Sequence, residues 1–212
     1  MTQKTDPPTL KYEEDLWQSG FSHIAGFDEA GRGALAGPVA VAAVILPTNP
    51  RLTWTLAGVR DSKQMTARQR ETWAVRIKSV ALAWRVEFAS VEEIDHLGIA
   101  RGTRLAATRV LENLTIPPEY LLLDFRLSLP ESPLPQTALV KGDQISLSIA
   151  AASVLAKTTR DALMCELDVQ YPGYGLGQNK GYGTQAHRSA MMRLGFSSMH
   201  RKSFVIKELR ST

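Results

Sequence analysis

Asp28 and Glu29 stand at the end of an apolar run and are followed, after Ala30, by Gly31-Arg32-Gly33. Paired acids at a strand end suit a hard divalent cation, which takes oxygen ligands. The glycines let backbone amides approach a ligand that a Cβ would hold away. Arg32 between them supplies a fixed positive charge suited to phosphate. Metal ligands beside a bare-backbone cradle point to phosphodiester chemistry. Two further acids occupy unusual settings. Asp124 ends the string YLLLDF, where an acid after three leucines is costly unless paired or ligated, the alternative being a strand end turned to solvent. Asp143 precedes a long helical stretch, and on spacing alone a capping or helix-dipole role is the better reading. Open α/β sheets gather ligands at the carboxyl ends of strands. Four acids placed there would suffice for two divalent ions about 3.5–4 Å apart.

The elements that must position these residues follow an α/β order. His23–Asp28 and Pro38–Leu46 read as strands, the second apolar enough to lie inside a sheet. Thr66 with Gln69 forms a capping-box pattern opening a helix to about Ser79, and Trp84–Phe88 alternates as a third strand. Ser90 with Glu93 repeats the capping pattern before a helix expected to reach Asn113, bent or broken near Gly98 and Gly102. Tyr120–Phe125 is a short apolar strand, and Thr137–Val140 another after a proline-rich loop. No glycine or proline interrupts Gln144 to about Gln170, which predicts one long helix. Residues 173–183 hold five of the fifteen glycines and read as a loop, after which Thr184 caps a helix that Gly195 stops. The expectation is a single domain over 1–212, with a core over about 20–170 and a small helical part over about 171–212.

Composition sets the limits of function. A chain of 212 residues, 44% of them hydrophobic, can bury a core of ordinary size. The formal charge is +4 and the pI near 9.3, compatible with a polyanionic partner. Cys165 is the only cysteine, which excludes an internal disulfide and fits a reducing cytosol. No apolar stretch approaches the ~20 residues needed to span a bilayer, and the N-terminal segment carries acids and prolines where a signal peptide would be apolar. A cytoplasmic protein without a membrane partner is expected. The four histidines do not suggest a metal site, and Trp17, Trp54, Trp73 and Trp84 are expected to pack against the protein rather than stack on bases.

The strings FDEAGRGALAGPVAVAAV, DSKQMTARQR, YLLLDF, VKGDQISLSIAAASVLAKTTRD, YPGYGLGQNKGYGTQAH and HRKSF resemble, in order from about His23 to Phe204, the bacterial type 2 ribonuclease H family (ribonuclease HII). The resemblance implies a ribonuclease H-like mixed sheet flanked by helices, with a helical C-terminal extension. It implies hydrolysis of the RNA strand of RNA–DNA hybrids and incision 5′ to single ribonucleotides embedded in duplex DNA. Magnesium or manganese is the implied cofactor, two ions during catalysis, and the implied products carry a 5′-phosphate and a 3′-hydroxyl.

Carried over by position, the family's catalytic and metal-binding acids fall on Asp28, Glu29, Asp124 and Asp143, with Asp28 expected to bridge both ions. The family's glycine-arginine-glycine element falls on Gly31, Arg32 and Gly33, whose backbone would sense the 2′-hydroxyl, the handle that separates a ribonucleotide from its DNA neighbours. Tyr182 matches a tyrosine that packs on the sugar beside the scissile phosphate; without the resemblance it reads as a loop tyrosine packed on a helix. Lys63 matches a lysine expected to reach a backbone phosphate, with a solvated surface lysine as the alternative. Lys157 and Arg160 are open between phosphate contacts and structural ion-pair partners. His187 matches a family position, but a packed, hydrogen-bonded role is as natural. Phe125 departs from the smaller residues of relatives. The ending ELRST carries no clamp-binding motif, and no N-terminal stretch is long enough for the extra domain of type 3 enzymes. A monomer acting on hybrid and ribonucleotide-containing duplexes is the expectation.

Overall fold

The computed structural model describes residues 7–204. The expectation about a clamp motif concerns the chain's last residues, which lie outside them. Five strands form one mixed sheet: β1 (Ile24–Ala30), β2 (Val39–Ile45), β3 (Ala83–Ala89), β4 (Tyr120–Asp124) and β5 (Gln136–Leu139), in the order β3-β2-β1-β4-β5. The β1–β2 and β2–β3 pairs are antiparallel, whereas β1–β4 and β4–β5 are parallel. Consequently β1 and β4 end side by side, and both ends carry acids.

Helices cover both faces. In chain order they are α1 (Lys11–Gln18), α2 (Leu52–Thr55), α3 (Ala67–Val80), α4 (Val91–Leu97), α5 (Ile99–Asn113), α6 (Gly142–Ile145), α7 (Leu147–Gln170), α8 (Leu176–Asn179) and α9 (Gln185–Leu194). Ala42 and Val44 of β2 face α7 and α3, whereas Val41, Ala43 and Ile45 face α5. Every residue of β2 is therefore buried, which is why its sequence is apolar without alternation. Burial of each large aliphatic side chain contributes about 1.5–3 kcal/mol. The helix α7 lies unusually close to β1: a Cβ added at Gly26 would meet the Ser148 backbone at 2.3 Å. A third apolar cluster joins the end of α7 to α8, α9 and Ala36.

Both capping boxes form, at Thr66–Gln69 and Ser90–Glu93, and Gly98 with φ +79° separates α4 from α5. The expected continuous helix from Gln144 is divided. Ser146 adopts an extended conformation, caps Ile149 N–H with its hydroxyl, and splits α6 from α7. Its setting explains the break. Leu147 N–H donates to the Thr9 carbonyl at 2.9 Å, and the buried Glu13 Oε1 accepts from Ser146 Oγ, Ser148 N and Ser148 Oγ at 2.6–2.9 Å. Among the tryptophans, Trp17 and Trp73 pack against the core, but Trp54 is 82% exposed and Trp84 lies on edge strand β3 beneath the Lys78 ammonium. The expectation that all four pack against the protein is corrected for Trp54, which stands on the short α2 and projects into solvent.

Candidate active site

One residue beyond the last parallel pair, Phe27 with Leu123, the strands deliver Asp28 and Asp124 side by side. A carboxylate oxygen from each of Asp28, Glu29 and Asp124 lies within 4.8 Å of the other two. Asp28 is 4% exposed; its Oδ1 accepts from the Glu29 amide at 2.8 Å. The other oxygen, Oδ2, and Glu29 Oε2 are buried and have no hydrogen-bond partner among the described residues. Asp124 Oδ1 accepts from the Gly142 amide at 2.9 Å, tying the start of α6 to the end of β4. Asp143, in the first turn of α6, is buried against the same cleft, and its carboxylate turns to Lys63 Nζ at 3.4 Å. The cap of α7 is Ser146, so Asp143 does not serve that helix as its N-cap.

These acids oppose one another. Burial holds Asp28 well above the ordinary carboxylate range, with Glu29, Asp124 and Asp143 adding to the effect. The Ser153 hydroxyl counters in part, although its hydrogen-bond partner is Ser62 at 2.9 Å. Burial raises Glu29 too; Arg32 opposes this and Asp124 reinforces it. Asp143 is pushed up to about 6 by burial and by Asp61, with Lys63 acting against them. Oxygen-only donors, orphaned buried oxygens and mutual repulsion together fit a hard divalent cation, whose charge would relieve the repulsion and occupy the orphaned oxygens.

The acids floor an open cleft of about 1080 Å³ whose walls include Arg32, Lys63, Arg126, Lys157 and Tyr182. Gly31 has φ +93°, and a Cβ there would strike Arg160 Nε at 1.9 Å, so both conformation and packing require glycine. Gly33 differs. Its φ lies outside the left-handed region and an added Cβ would meet nothing within 4 Å among the described residues, so packing there does not explain it. The bare backbone of Gly33 faces the cleft. Arg32 donates to the Arg126 carbonyl at 2.7 Å and stands 3.9 Å from Glu29.

The remaining predicted residues fall into two groups. Lys63, with a side chain 74% exposed, projects over the cleft. Burial lowers its pKa, but Asp143, Asp28 and Asp61 outweigh this and raise it on balance. Lys157 pairs with Asp161 at 2.8 Å and lies 5.4 Å from the Tyr182 ring centroid. Arg160, left open between a phosphate contact and an ion-pair role, takes a third arrangement. It is fully buried, and its nitrogens donate to the Pro38, Lys180 and Ala36 carbonyls at 2.8–3.1 Å. Nor does it form an ion pair among the described residues; it joins the glycine loop to the loop that carries Tyr182. The tyrosine itself is half-buried at the cleft wall.

Two residues escaped the sequence reading. Arg201 is 1% exposed and donates to the carbonyls of Gly31, Arg32 and Gly37 at 2.7–3.0 Å. His200 is fully buried, with Nε2 3.2 Å from His187 Nε2. The only signal for either was the closing string HRKSF, which the resemblance already included.

Comparison with known proteins gives the family and the fold. The sequence model of the ribonuclease HII family matches residues 25–207. A ribonuclease HII of Synechococcus sp. (strain JA-3-3Ab) is 55% identical over 95% of this chain and 90% of its own. One from Dehalococcoides mccartyi (strain 195) is 49% identical over 93% and 92%. Among solved structures, the ribonuclease H2 of Pyrococcus horikoshii OT3 superposes with TM-score 0.71 at 25% identity, covering 86% of this chain and 93% of that one. The ribonuclease HII of Archaeoglobus fulgidus, solved in a complex with PCNA, gives 0.75 at 26% identity over 89% and 97%. A ribonuclease HIII structure containing Mn2+ shares the fold at TM-score 0.62 and 19% identity, covering 87% and 67%. Family match, relatives and fold converge: the chain belongs to the ribonuclease HII family of metal-dependent endoribonucleases.

Proposed function

We propose that the protein hydrolyses the RNA strand of RNA–DNA hybrids and incises duplex DNA 5′ to single embedded ribonucleotides, as a monomer in the cytoplasm. The observation carrying this reading is the convergence of three carboxylates, two of them with orphaned buried oxygens, beside a glycine whose bare backbone faces the cleft. Asp28, Glu29, Asp124 and Asp143 form the donor set for two magnesium or manganese ions. Such ions, when bound, lower the pKa of an attacking water and stabilise the charge on the leaving 3′-oxygen. The side chains contribute placement. Asp28, at the centre of the cluster, is the acid best placed to serve both ions. Gly142 N–H holds Asp124 in orientation, and Lys63 shields Asp143 until a phosphate competes for the ammonium.

Substrate choice belongs to the cleft wall. A Cβ at Gly33 would project into open space that the sugar edge needs, so glycine there admits the 2′-hydroxyl to the backbone. The Tyr182 ring offers a flat face to the sugar that follows the ribonucleotide. The membrane plays no part in this reading, and no described helix is long and apolar enough to cross one. The test offers purified protein and manganese three duplexes: one ribonucleotide in DNA, a long RNA–DNA hybrid, and an all-DNA control. Cleavage of the first two and not the third is expected. Cleavage of the DNA control at a comparable rate would refute the reading.

A further inference from the structure

The short segment Ser197–Arg201 touches both loops that the proposed function assigns to substrate reading, and it does so through two adjacent buried side chains. Arg201 approaches the glycine turn from behind. It donates to the Gly31 and Arg32 carbonyls at 2.8 and 2.9 Å and to the Gly37 carbonyl, and so spans both ends of one loop. A trans peptide points its C=O and its N–H in opposite directions. Carbonyls of Gly31 and Arg32 drawn inward therefore turn the amides of Arg32 and Gly33 outward, to the side where these residues line the cleft. Among the described residues neither amide finds an acceptor. A buried guanidinium costs several kcal/mol unless its donors are satisfied (on the order of the penalty for any buried charge). Arg201 and Arg160 are both satisfied by carbonyls alone, with no salt bridge among the described residues.

His200 does the same for the second loop. Ser197 N–H must donate, so His200 Nδ1 accepts it at 3.0 Å, and His200 Nε2 carries the proton. That proton goes to His187 Nε2 at 3.2 Å, and His187 Nδ1–H donates to the Tyr182 carbonyl at 3.0 Å. The chain has one consistent direction, from Ser197 to Tyr182, with both rings neutral. Burial lowers both histidines, His200 to about 4 with the help of its neighbour, which keeps a second proton off the pair at neutral pH. Tyr174 and Phe196 hold the His200 ring from its sides, with centroids 4.7 and 5.7 Å away.

We propose that Ser197–Arg201 is a positioning element for substrate discrimination: Arg201 sets the outward amides of the glycine turn, and His200, through His187, sets the backbone that presents Tyr182. The proposal rests on the functional reading above and assigns different losses to its two arms. Arg201→Lys keeps the charge, but one ammonium cannot span carbonyls at both ends of the loop. Its preference for a one-ribonucleotide duplex over the same duplex in DNA, measured as affinity in calcium, should fall about tenfold. Affinity for the all-DNA duplex and its salt dependence should stay unchanged. His200→Phe keeps the ring packing and removes the hydrogen bonds; it should lower the ratio of single-ribonucleotide incision to long-hybrid cleavage about tenfold or more. His200→Gln, whose amide can accept from Ser197 and donate to His187, should restore most of that ratio. Thermal midpoints are recorded alongside. If rates and midpoint fall together while preference and ratio hold, the proposal is overturned and the segment belongs only to the fold. Failure of Arg201→Lys and His200→Phe alike to fold overturns it in the same way. A wild-type protein that cuts neither ribonucleotide substrate would instead refute the functional reading, before any variant is compared.

Discussion

Replacing Asp28 by asparagine should make the metal-free protein more stable while abolishing its activity. The carboxylate is 4% exposed, leaves Oδ2 unpartnered, and has Glu29 and Asp124 oxygens within 4.8 Å. At an effective dielectric near 20, each like-charged pair at that distance costs about 3 kcal/mol. Asp28 already avoids part of this cost, since burial and its neighbours favour the protonated form. The relief on substitution is then about 1–3 kcal/mol, which raises the thermal midpoint by about 2–10 °C for a chain of this length. Asparagine keeps the volume and surrenders the charge on which bound cations depend, so the rate should drop at least about a thousandfold, or ~4 kcal/mol in the barrier. Thermal melts at pH 8 with chelator, melts with magnesium, and single-turnover cleavage of a one-ribonucleotide duplex measure all three effects. The magnesium-induced rise in midpoint should shrink or vanish in the variant. A metal-free midpoint that falls, or a retained rate above about a tenth of wild type, would refute the reasoning.

Three further outcomes follow from the same geometry. Lys63→Ala removes a highly exposed cation over the cleft, so the log–log salt dependence of hybrid binding should become shallower by about one unit; an unchanged slope returns Lys63 to the surface. Tyr182→Ala should depress incision at a single ribonucleotide more than cleavage within long RNA, and Tyr182→Phe should keep most of the effect of the ring; equal losses on both substrates would make the tyrosine a fold residue. For pH, Asp143 rises from 3.8 to about 6 on folding, so its contribution to stability is present below 3.8 and lost as pH rises through 6. Cations displace that proton, so the midpoint gain on adding magnesium should be larger at pH 8 than at pH 5. The buried histidines shift the opposite way but are common to both conditions and cancel. A gain independent of pH would contradict the placement of Asp143 beside the cations.

What could be read from the sequence was what local physics decides. The capping boxes at Thr66 and Ser90 depend on residues three apart, and both form. The apolar run of β2 and the strand-end acids are likewise local signals, and the parallel pairing of β1 with β4 brings Asp28 beside Asp124. The break at Ser146 was hidden because its cause is Glu13, 133 residues away in the chain. Arg160 and Arg201 were misread or missed for a related reason: an arginine in a string looks solvated, and nothing local announces that inward-turned carbonyls will satisfy it. The pairing of His187 with His200 joins a helix to a turn, which no periodicity connects.

The central claim is that carboxylate-held cations direct water, and not the ribose 2′-hydroxyl, at the phosphodiester. Mapping the ends left by cleavage of a duplex with one ribonucleotide, labelled separately at its 5′ and 3′ termini, tests it most directly. A divalent-ion-dependent cut on the 5′ side of the ribonucleotide is expected, leaving a 3′-hydroxyl and a 5′-phosphate. A cut on its 3′ side ending in a 2′,3′-cyclic phosphate, or one that persists in chelator, would contradict the claim.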